Sequence, residues 1–391
     1  MDLSIIFYVF LGILIGTVTG ITPGLHPNTA SALFLTFSFL DPLCASVALV
    51  SASVTHTFLD FIPSIVFGAP EPETALSILP GHEMTMRGRA YRAIKLTVVG
   101  GVSSLLIGLL FFPLLALFIG NFYELLKVNM VWILIAFSLY MFLKDRKPWS
   151  IVVFFLSGLL GFIVLSKNLL GYQGLLPMLT GLFGLSTLIF SIKNKVQIPA
   201  QQFDCGEVKG VLKSGIIGAV SGILVGLLPG VGSAQATFIT REVLKEKDEE
   251  RFMIAIGGVN TTVAVFSLLA LWLVGRARSG VAAAVGEMLG KLSLTHVLLF
   301  LGVIMLSGGV SAVLTLLISK RILNLLRKIE YRKLNLLVII FLTSIVFWFT
   351  GVVGVLTLFV STTIGLACIL SGTRRSYMMA CIVVPTILNL I

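Results

Sequence analysis

The sequence predicts an all-α polytopic membrane protein made of two inverted-topology repeats, each with a broken or re-entrant helix at a Pro-Gly motif. Three observations predict it. Hydrophobic residues fill 57% of the 391 positions and charged residues only 12%, against about half and a quarter in soluble domains. A glycine stripe closing on Pro-Gly occurs twice: Gly12, Gly16, Gly20, Pro23 and Gly24 recur as Gly218, Gly222, Gly226, Pro229 and Gly230, offset by 206 residues (229 − 23). Loops at matching places in the two halves also alternate between basic and neutral.

The first element is MDLSIIFYVFLGILIG, which lacks the basic head and small-residue cleavage site of a signal peptide and reads as a retained helix. Apolar runs long enough to cross a bilayer follow at 97–120, 128–143, 149–166, 295–319 and 334–349. They leave no room for a sizeable soluble domain. A second internal match, Gly100-Gly101-Val102-Ser103 against Gly308-Gly309-Val310-Ser311, has an offset of 208 (308 − 100).

After this second Gly-Gly helix comes KRILNLLRKIEYRK (320–333), strongly basic, whereas its counterpart GNFYELLK (120–127) holds one lysine and one glutamate. One helix later the pattern reverses: KDRK (144–147) is basic and FTGVVG (349–354) is uncharged. Cytoplasmic loops carry the excess of Lys and Arg, so equivalent loops lie on opposite faces and the repeats are inverted. The organisation expected is a first transmembrane repeat over 1–192, a cytoplasmic linker over 193–212, and a second, inverted repeat over 213–391. Arg374 and Arg375 fall on the cytoplasmic side and the N-terminus outside. The net charge of +11 is explained by these loops and does not suggest nucleic acid. Cys44, Cys205, Cys368 and Cys381 have no metal spacing and read as small apolar filler.

The Pro-Gly breaks are the first candidate site. An unpaired backbone group in lipid costs several kcal/mol, so a break survives only where protein or a water-filled cavity satisfies it. A helix restarting beyond the break offers free N–H groups and the positive end of its dipole, which suits a carboxylate or phosphate. The substrate-binding candidates are Pro23, Gly24, His26, Asn28 and Thr29, with Ser31 nearby, and in the second half Pro229, Gly230, Ser233, Gln235 and Asn260, with Thr237 nearby. The glycine stripes themselves let helices approach closely, and packing is sufficient to explain them.

His56 and Asp60, one helical turn apart in an apolar run ending at Pro63, are coupling-ion candidates. A structural His–Asp pair closing a helix interface explains them equally well. Thr261 and Thr262, beside Asn260 at a comparable place in the second half, offer neutral oxygens suited to Na⁺ or to a substrate. Glu71 and Glu73 between prolines line a cavity or sit at the interface. Arg87, Arg89, Arg92 and Lys95 anchor a loop at the cytoplasmic surface, Arg276 and Arg278 anchor at the interface or bind an anion, and REVLKEKDEER (241–251) reads as a solvated helix end without site value.

These residues resemble the TctA family, the large membrane subunit of tripartite tricarboxylate transporters. The resemblance covers essentially the whole chain. It is carried by GILIGTVTGITPGLHPNTASALFL, by FGAPEPETALSILPGHEMTMRGRAYRA through Thr74, Ala75, Met84 and Gly88, by LLPMLTGLFGLSTLIFSI (175–192), and by GILVGLLPGVGSAQATF. It implies an inverted-repeat secondary transporter that takes up carboxylates on a Na⁺ or H⁺ gradient, with a small membrane subunit and an extracytoplasmic solute-binding protein as partners. The chain departs from the pattern in being shorter, in having GGVNTTVAVFSLL where the family carries a Pro-Glu and paired asparagines, and in having His56 and Asp60. The short form with its Arg374-Arg375 end looks like archaeal members, for which a binding protein is not assumed.

The function expected is therefore import of a di- or tricarboxylate across the cell membrane, driven by Na⁺ or H⁺, with the anion held by the two Pro-Gly tips and one repeat rocking against the other. The alternative is a translocase of a lipid-linked phosphate such as polyprenyl phosphate. Beyond the coupling ion no cofactor and no metal is expected, the partners are the anionic substrate and the lipid bilayer, and a homo-oligomer is left open. An enzyme is not expected: the four histidines (His26, His56, His82, His296) are dispersed, and neither HExxH nor GxSxG occurs.

Overall fold

The computed structural model describes residues 3–22, 27, 41–68, 74, 78–144, 148–166, 169–170, 174–193, 199–203, 206–227, 237, 240, 248–275, 277–326, 331–373 and 375–390. These are mostly helical, with no strand among them. In order they form α1 (Leu3–Ile21), α2 (Pro42–Leu59), α3 (Phe61–Phe67), α4 (Ile78–Met86), α5 (Ala90–Lys144), α6 (Pro148–Gly161), α7 (Leu175–Leu179), α8 (Ser186–Lys193), α9 (Val211–Leu227), α10 (Glu249–Val274), α11 (Gly280–Leu289), α12 (Leu294–Leu326), α13 (Tyr331–Leu370) and α14 (Ala380–Leu390). Among the described residues seven helical stretches are long and apolar enough to cross a membrane. Large apolar side chains such as Leu110, Leu117, Trp348 and Phe359 lie exposed on the outside, the arrangement of a protein whose surroundings are lipid. This is an all-α, multi-pass membrane protein.

Local chemistry sets the helix limits. Asp41 caps α2, its Oδ1 accepting from the Cys44 N–H at 2.9 Å, and Pro42 fills the first turn, where no N–H is needed. Asp248 caps α10 through the Arg251 N–H at 3.1 Å, and Glu249 and Glu250 sit in its positive first turn. Gly68 ends α3 and Gly275 ends α10 in the left-handed region (φ 62° and 65°). The uncharged break expected at 349–354 is found at Gly351, where φ 61° and ψ −157° interrupt α13. The break expected at 120–127 is not found. The apolar runs 97–120 and 128–143 lie in the single helix α5, because GNFYELLK has no proline and its one glycine is tolerated within a helix.

Helix pairs in the two halves pack in the same register. A Cβ on Gly12, Gly16 or Gly20 of α1 would meet, in turn, Ala48 and Ser51, Ala52 and Thr55, and Leu59 and the Asp60 N–H of α2. On Gly218, Gly222 and Gly226 of α9 it would meet Ala255 and Gly258, Val259 and Thr262, and Phe266 and the Ser267 N–H of α10. Every partner is displaced by 207 (for example 267 − 60).

The halves also interlock. α5 of the first half packs on α9 and α10, while α12 of the second packs on α1 and α2. One large core therefore joins α1–α5 to α9–α12, and a second, smaller core joins α6, α7, the end of α13 and α14 around Phe183, Tyr377 and Met378. Leu185, Leu188 and Leu358 connect the smaller group to the large core. Neither core follows the boundary between sequence halves.

The charged segments differ from expectation. Arg87, Arg89 and Arg92 do not simply anchor a loop, and Glu249 and Glu250, the described acidic residues at the start of α10, are not merely solvated. Arg92 pairs with Glu250 at 2.7 Å, Arg89 reaches Glu250 at 2.5 Å, and Arg87 bridges Glu249 at 3.1 Å and Glu83 at 2.5 Å. Arg92 also donates to the Glu207 and Gly206 carbonyls of the linker. Buried Gln201 holds the linker by accepting from the Ala90 N–H and donating to the Thr85 and Pro199 carbonyls. The linker is thus stitched to the α4–α5 turn and to the start of α10. Opposite charges 158 residues apart in sequence neutralise one another here, which composition alone does not reveal.

Candidate functional site

α2 ends where α3 begins, and Asp60 stands at that joint. Its backbone remains α-helical (φ −62°, ψ −20°), its N–H bonds the His56 carbonyl, and its own carbonyl accepts from Ser64 Oγ at 2.9 Å. The side chain is fully buried. Across the interface α10 presents Asn260, also buried. Asn260 Nδ2 donates to Asp60 Oδ2 at 2.7 Å and to the Thr57 carbonyl at 3.3 Å. Both acceptors are oxygens, so the network fixes the amide with its NH₂ toward them.

Hydroxyls extend this contact. Thr57 Oγ1 and Thr261 Oγ1 lie 3.3 Å apart, while Thr261 donates to the Gly257 carbonyl. His56 points to the other side of α2, where its Nδ1 lies 3.2 Å from Thr19 Oγ1 of α1. Thr19 Oγ1 already donates to the Gly16 carbonyl at 3.2 Å, so it receives the His56 Nδ1–H. Ser311 of α12 donates to Thr55 Oγ1 at 2.9 Å. Thr262 Oγ1 is buried with no hydrogen-bond partner among the described residues. A buried polar seam thus runs along α2, facing α1, α10 and α12 in turn. Buried polar groups are costly unless paired, and a carboxylate most of all, so this seam is the part of the described structure that packing does not explain.

Of the sequence-predicted site residues, the structure brings Asp60, Asn260 and Thr261 together and leaves His56 one turn away on another face. Thr262 lies on α10 where the register matches Thr55 of α2. That register changes one pairing. Asn260 does not occupy the place in its half that Asp60 occupies in the other, which belongs to Ser267; it meets Asp60 directly. Sequence reasoning missed Thr57, whose carbonyl and hydroxyl complete the contact; a threonine among apolar neighbours carries no signal of its own until α2 and α10 are docked. Pro23, Gly24, His26, Asn28, Thr29, Ser31, Pro229, Gly230, Ser233 and Gln235 lie outside the described residues, as do Glu71, Glu73, Arg276 and Arg374. α1 ends at Ile21, α9 is described as far as Leu227, and Thr237 is buried.

The chain matches the Tripartite tricarboxylate transporter TctA family over residues 6–380. It is 34% identical over 393 residues to an uncharacterized protein of Methanocaldococcus jannaschii, covering 98% of each chain. It is 24% identical over 279 residues to an uncharacterized 52.8 kDa protein from the TAR-I ttuC' 3' region of Agrobacterium vitis, covering 63% of this chain and 54% of that one. No solved structure matches it. The chain belongs to the TctA family of tripartite tricarboxylate transporters.

Proposed function

From that membership we propose that the protein is a secondary transporter that imports a small organic anion, a di- or tricarboxylate, across the cell membrane, driven by a cation gradient. The observation that carries this reading is the buried carboxylate–amide–hydroxyl seam between α2 and α10, within membrane-spanning helices of a family of tricarboxylate transporters. A carboxylate inside a membrane protein marks a path for ions or protons by default.

The two halves act as inverted repeats, a reading supported by the common 207-residue register of their glycine-striped helix pairs. Pro23-Gly24 and Pro229-Gly230 would present two helix N-termini to the substrate carboxylates, where the dipole and free N–H groups favour negative charge. Asn260 would contribute its amide. Na⁺ or H⁺ would bind near Asp60, with Thr261, Thr262 and His56 as the remaining candidates. The family's tripartite character suggests a small membrane subunit and a solute-binding protein as partners. Helices of both halves share each core, so the moving bodies would be the two cores rather than the two sequence halves.

A thermal-shift screen of detergent-purified protein tests this reading, comparing citrate, succinate and tartrate with a short polyprenyl phosphate, each with and without Na⁺. A ligand present at about 100 times its Kd and bound only to the folded state adds about 2.7 kcal/mol of stability. The expected result is a cation-dependent stabilisation by one carboxylate that is lost in Gly24→Leu and Gly230→Leu. Stabilisation by the lipid phosphate alone would make the protein a lipid-carrier translocase instead.

A further inference from the structure

Resting on the transport reading above, we propose that the coupling ion is a proton carried by Asp60, and that Asn260, reaching it from the opposite half, is the group that senses its charge. The orientation of the amide points to this. Asn260 Nδ2 is 2.7 Å from Asp60 Oδ2 and 3.3 Å from the Thr57 carbonyl. Rotated by about 180°, its Oδ1 would face a carboxylate and a carbonyl, two repulsive contacts. The amide therefore presents hydrogens to Asp60, not lone pairs. A metal cation at Oδ2 needs oxygens converging on it, and that atom is already met by an N–H. A proton needs only the carboxylate itself.

The step balances without a co-reactant. A proton from the water on one side adds to an Asp60 oxygen, forming an O–H bond and removing the negative charge. It returns to water on the other side and the carboxylate is restored. In the charged state the 2.7 Å N–H···O⁻ contact is charge-assisted, roughly twice as strong as its neutral counterpart. Protonation weakens the tie between α2 and α10 at the point where α2 passes into α3. Asp60 also joins α2 to α3 through its backbone, bonding the His56 carbonyl and Ser64 Oγ, and Pro63, three residues on, has no N–H to donate, which makes this the weak point of the helix.

The surroundings single out Asp60. Within one turn the only other titratable group of α2 is His56, which is directed to Thr19. On α10 the ionisable groups Glu249, Glu250 and Arg251 lie about ten residues or 15 Å along the axis from Asn260, and the first two pair with Arg87, Arg89 and Arg92. Lys320 of α12 stacks over Tyr91 of α5 at 5.3 Å, and Lys95 lies one turn beyond Tyr91 on α5. Arg321 of α12 is exposed and adjoins Lys320. Tyr8 of α1 stacks edge-on against Phe7 near the helix start. α3 carries no ionisable residue; α4, packed on it, holds buried His82, whose Nδ1 lies 3.1 Å from the Ile65 carbonyl, and Glu83, which pairs with Arg87; α11 contributes only Glu287, which is not buried. In the 207-residue register His56 and Asp60 correspond to Val263 and Ser267, so the second half has no equivalent acid.

The test uses the full chain in lipid nanodiscs, followed by infrared difference spectroscopy as the pH is lowered. The expected result is a C=O stretch from a protonated carboxyl that grows with acid, is unchanged by added Na⁺, and is missing in Asp60→Asn. In Asn260→Leu the band should persist at higher frequency, because its hydrogen-bond donor is gone. This second variant decides the matter should Asp60→Asn fail to fold. No Asp60-dependent band, a band altered by Na⁺, or a band indifferent to Asn260→Leu would overturn the proposal.

Proteoliposomes separate this from failure of the transport reading. Citrate, succinate and tartrate counterflow by the wild type at clamped pH tests transport itself, and its absence for all three would sink the transport reading while leaving the infrared result on Asp60 intact. Counterflow with accumulation driven by an inward pH gradient alone is the expected result. Counterflow with accumulation driven only by Na⁺ would overturn the proton and keep the transporter.

Discussion

The glycines at the α5–α10 crossing are held more tightly than any side chain could be. A Cβ on Gly100 would collide with the Ile254 carbonyl, and one on Gly257 with the Thr97 carbonyl, so each helix offers its bare backbone to the other. Backbone cannot give way as a side chain end can, and overpacking of this kind costs about 3 kcal/mol. Gly100→Leu or Gly257→Leu should therefore lower the thermal unfolding midpoint in detergent markedly. Gly309 is the contrast: nothing lies within 4 Å of its Cβ position. Gly309→Ala should leave the midpoint unchanged or raise it, since alanine favours the helix by up to about 1 kcal/mol over glycine. The repeated Gly-Gly-Val-Ser motif makes Gly100 and Gly309 look alike in the sequence. What separates them is the facing helix, which no local pattern encodes. The polar seam was legible to the same extent. His56, Asp60, Asn260 and Thr261 stand out because ionisable and amide groups in apolar runs are costly, but their partnership is decided by docking: Asn260 goes to Asp60 and His56 to Thr19.

Helix elements were legible where a local signal stops them, as with the Gly351 break within FTGVVG; the Asp41 and Asp248 caps were not singled out in the sequence. The continuous helix α5 and the ionic seam were not legible, since the first runs through Pro113 and the polar stretch at 120–127 that reads as a loop, and the second joins distant segments. That ionic seam makes a graded prediction. Arg92 has only 9% of its side chain exposed and serves Glu250 together with two linker carbonyls. Arg92→Ala removes the donor of both linker carbonyls and leaves Glu250 with Arg89 alone, and should cost about 2 kcal/mol. Arg87 is half exposed, with partners at 49% and 39%. Arg87→Ala should cost less than about 1 kcal/mol, and high salt should erase that difference first. Unfolding of both variants at low and high ionic strength checks the order; equal losses would mean that the linker is not held through Arg92.

At the scale of the molecule the packing restricts which motions can carry a substrate. Rocking one sequence half against the other would have to part α5 from α10 and α12 from α2, breaking close crossings such as Gly100 on Ile254. Sliding or tilting the smaller core against the larger one leaves those crossings intact and strains mainly the contacts of Leu185, Leu188 and Leu358. The two schemes disagree about a single cross-link. Thr55 of the first half and Ser311 of the second are in hydrogen-bond contact at 2.9 Å, both on helices of the larger core. In a background where Cys44, Cys205, Cys368 and Cys381 are replaced, Thr55→Cys with Ser311→Cys should form a disulfide on mild oxidation. If the cores are the moving bodies, the oxidised protein should exchange substrate in proteoliposomes at close to the rate of its reduced form. If the halves rock, oxidation should stop exchange and reduction restore it. The same pair reports on the coupling group just beyond it on α2: with the halves locked together, Asp60 should still gain and lose its infrared carboxyl band as the pH is cycled, because adding a proton to its carboxylate requires no separation of the halves.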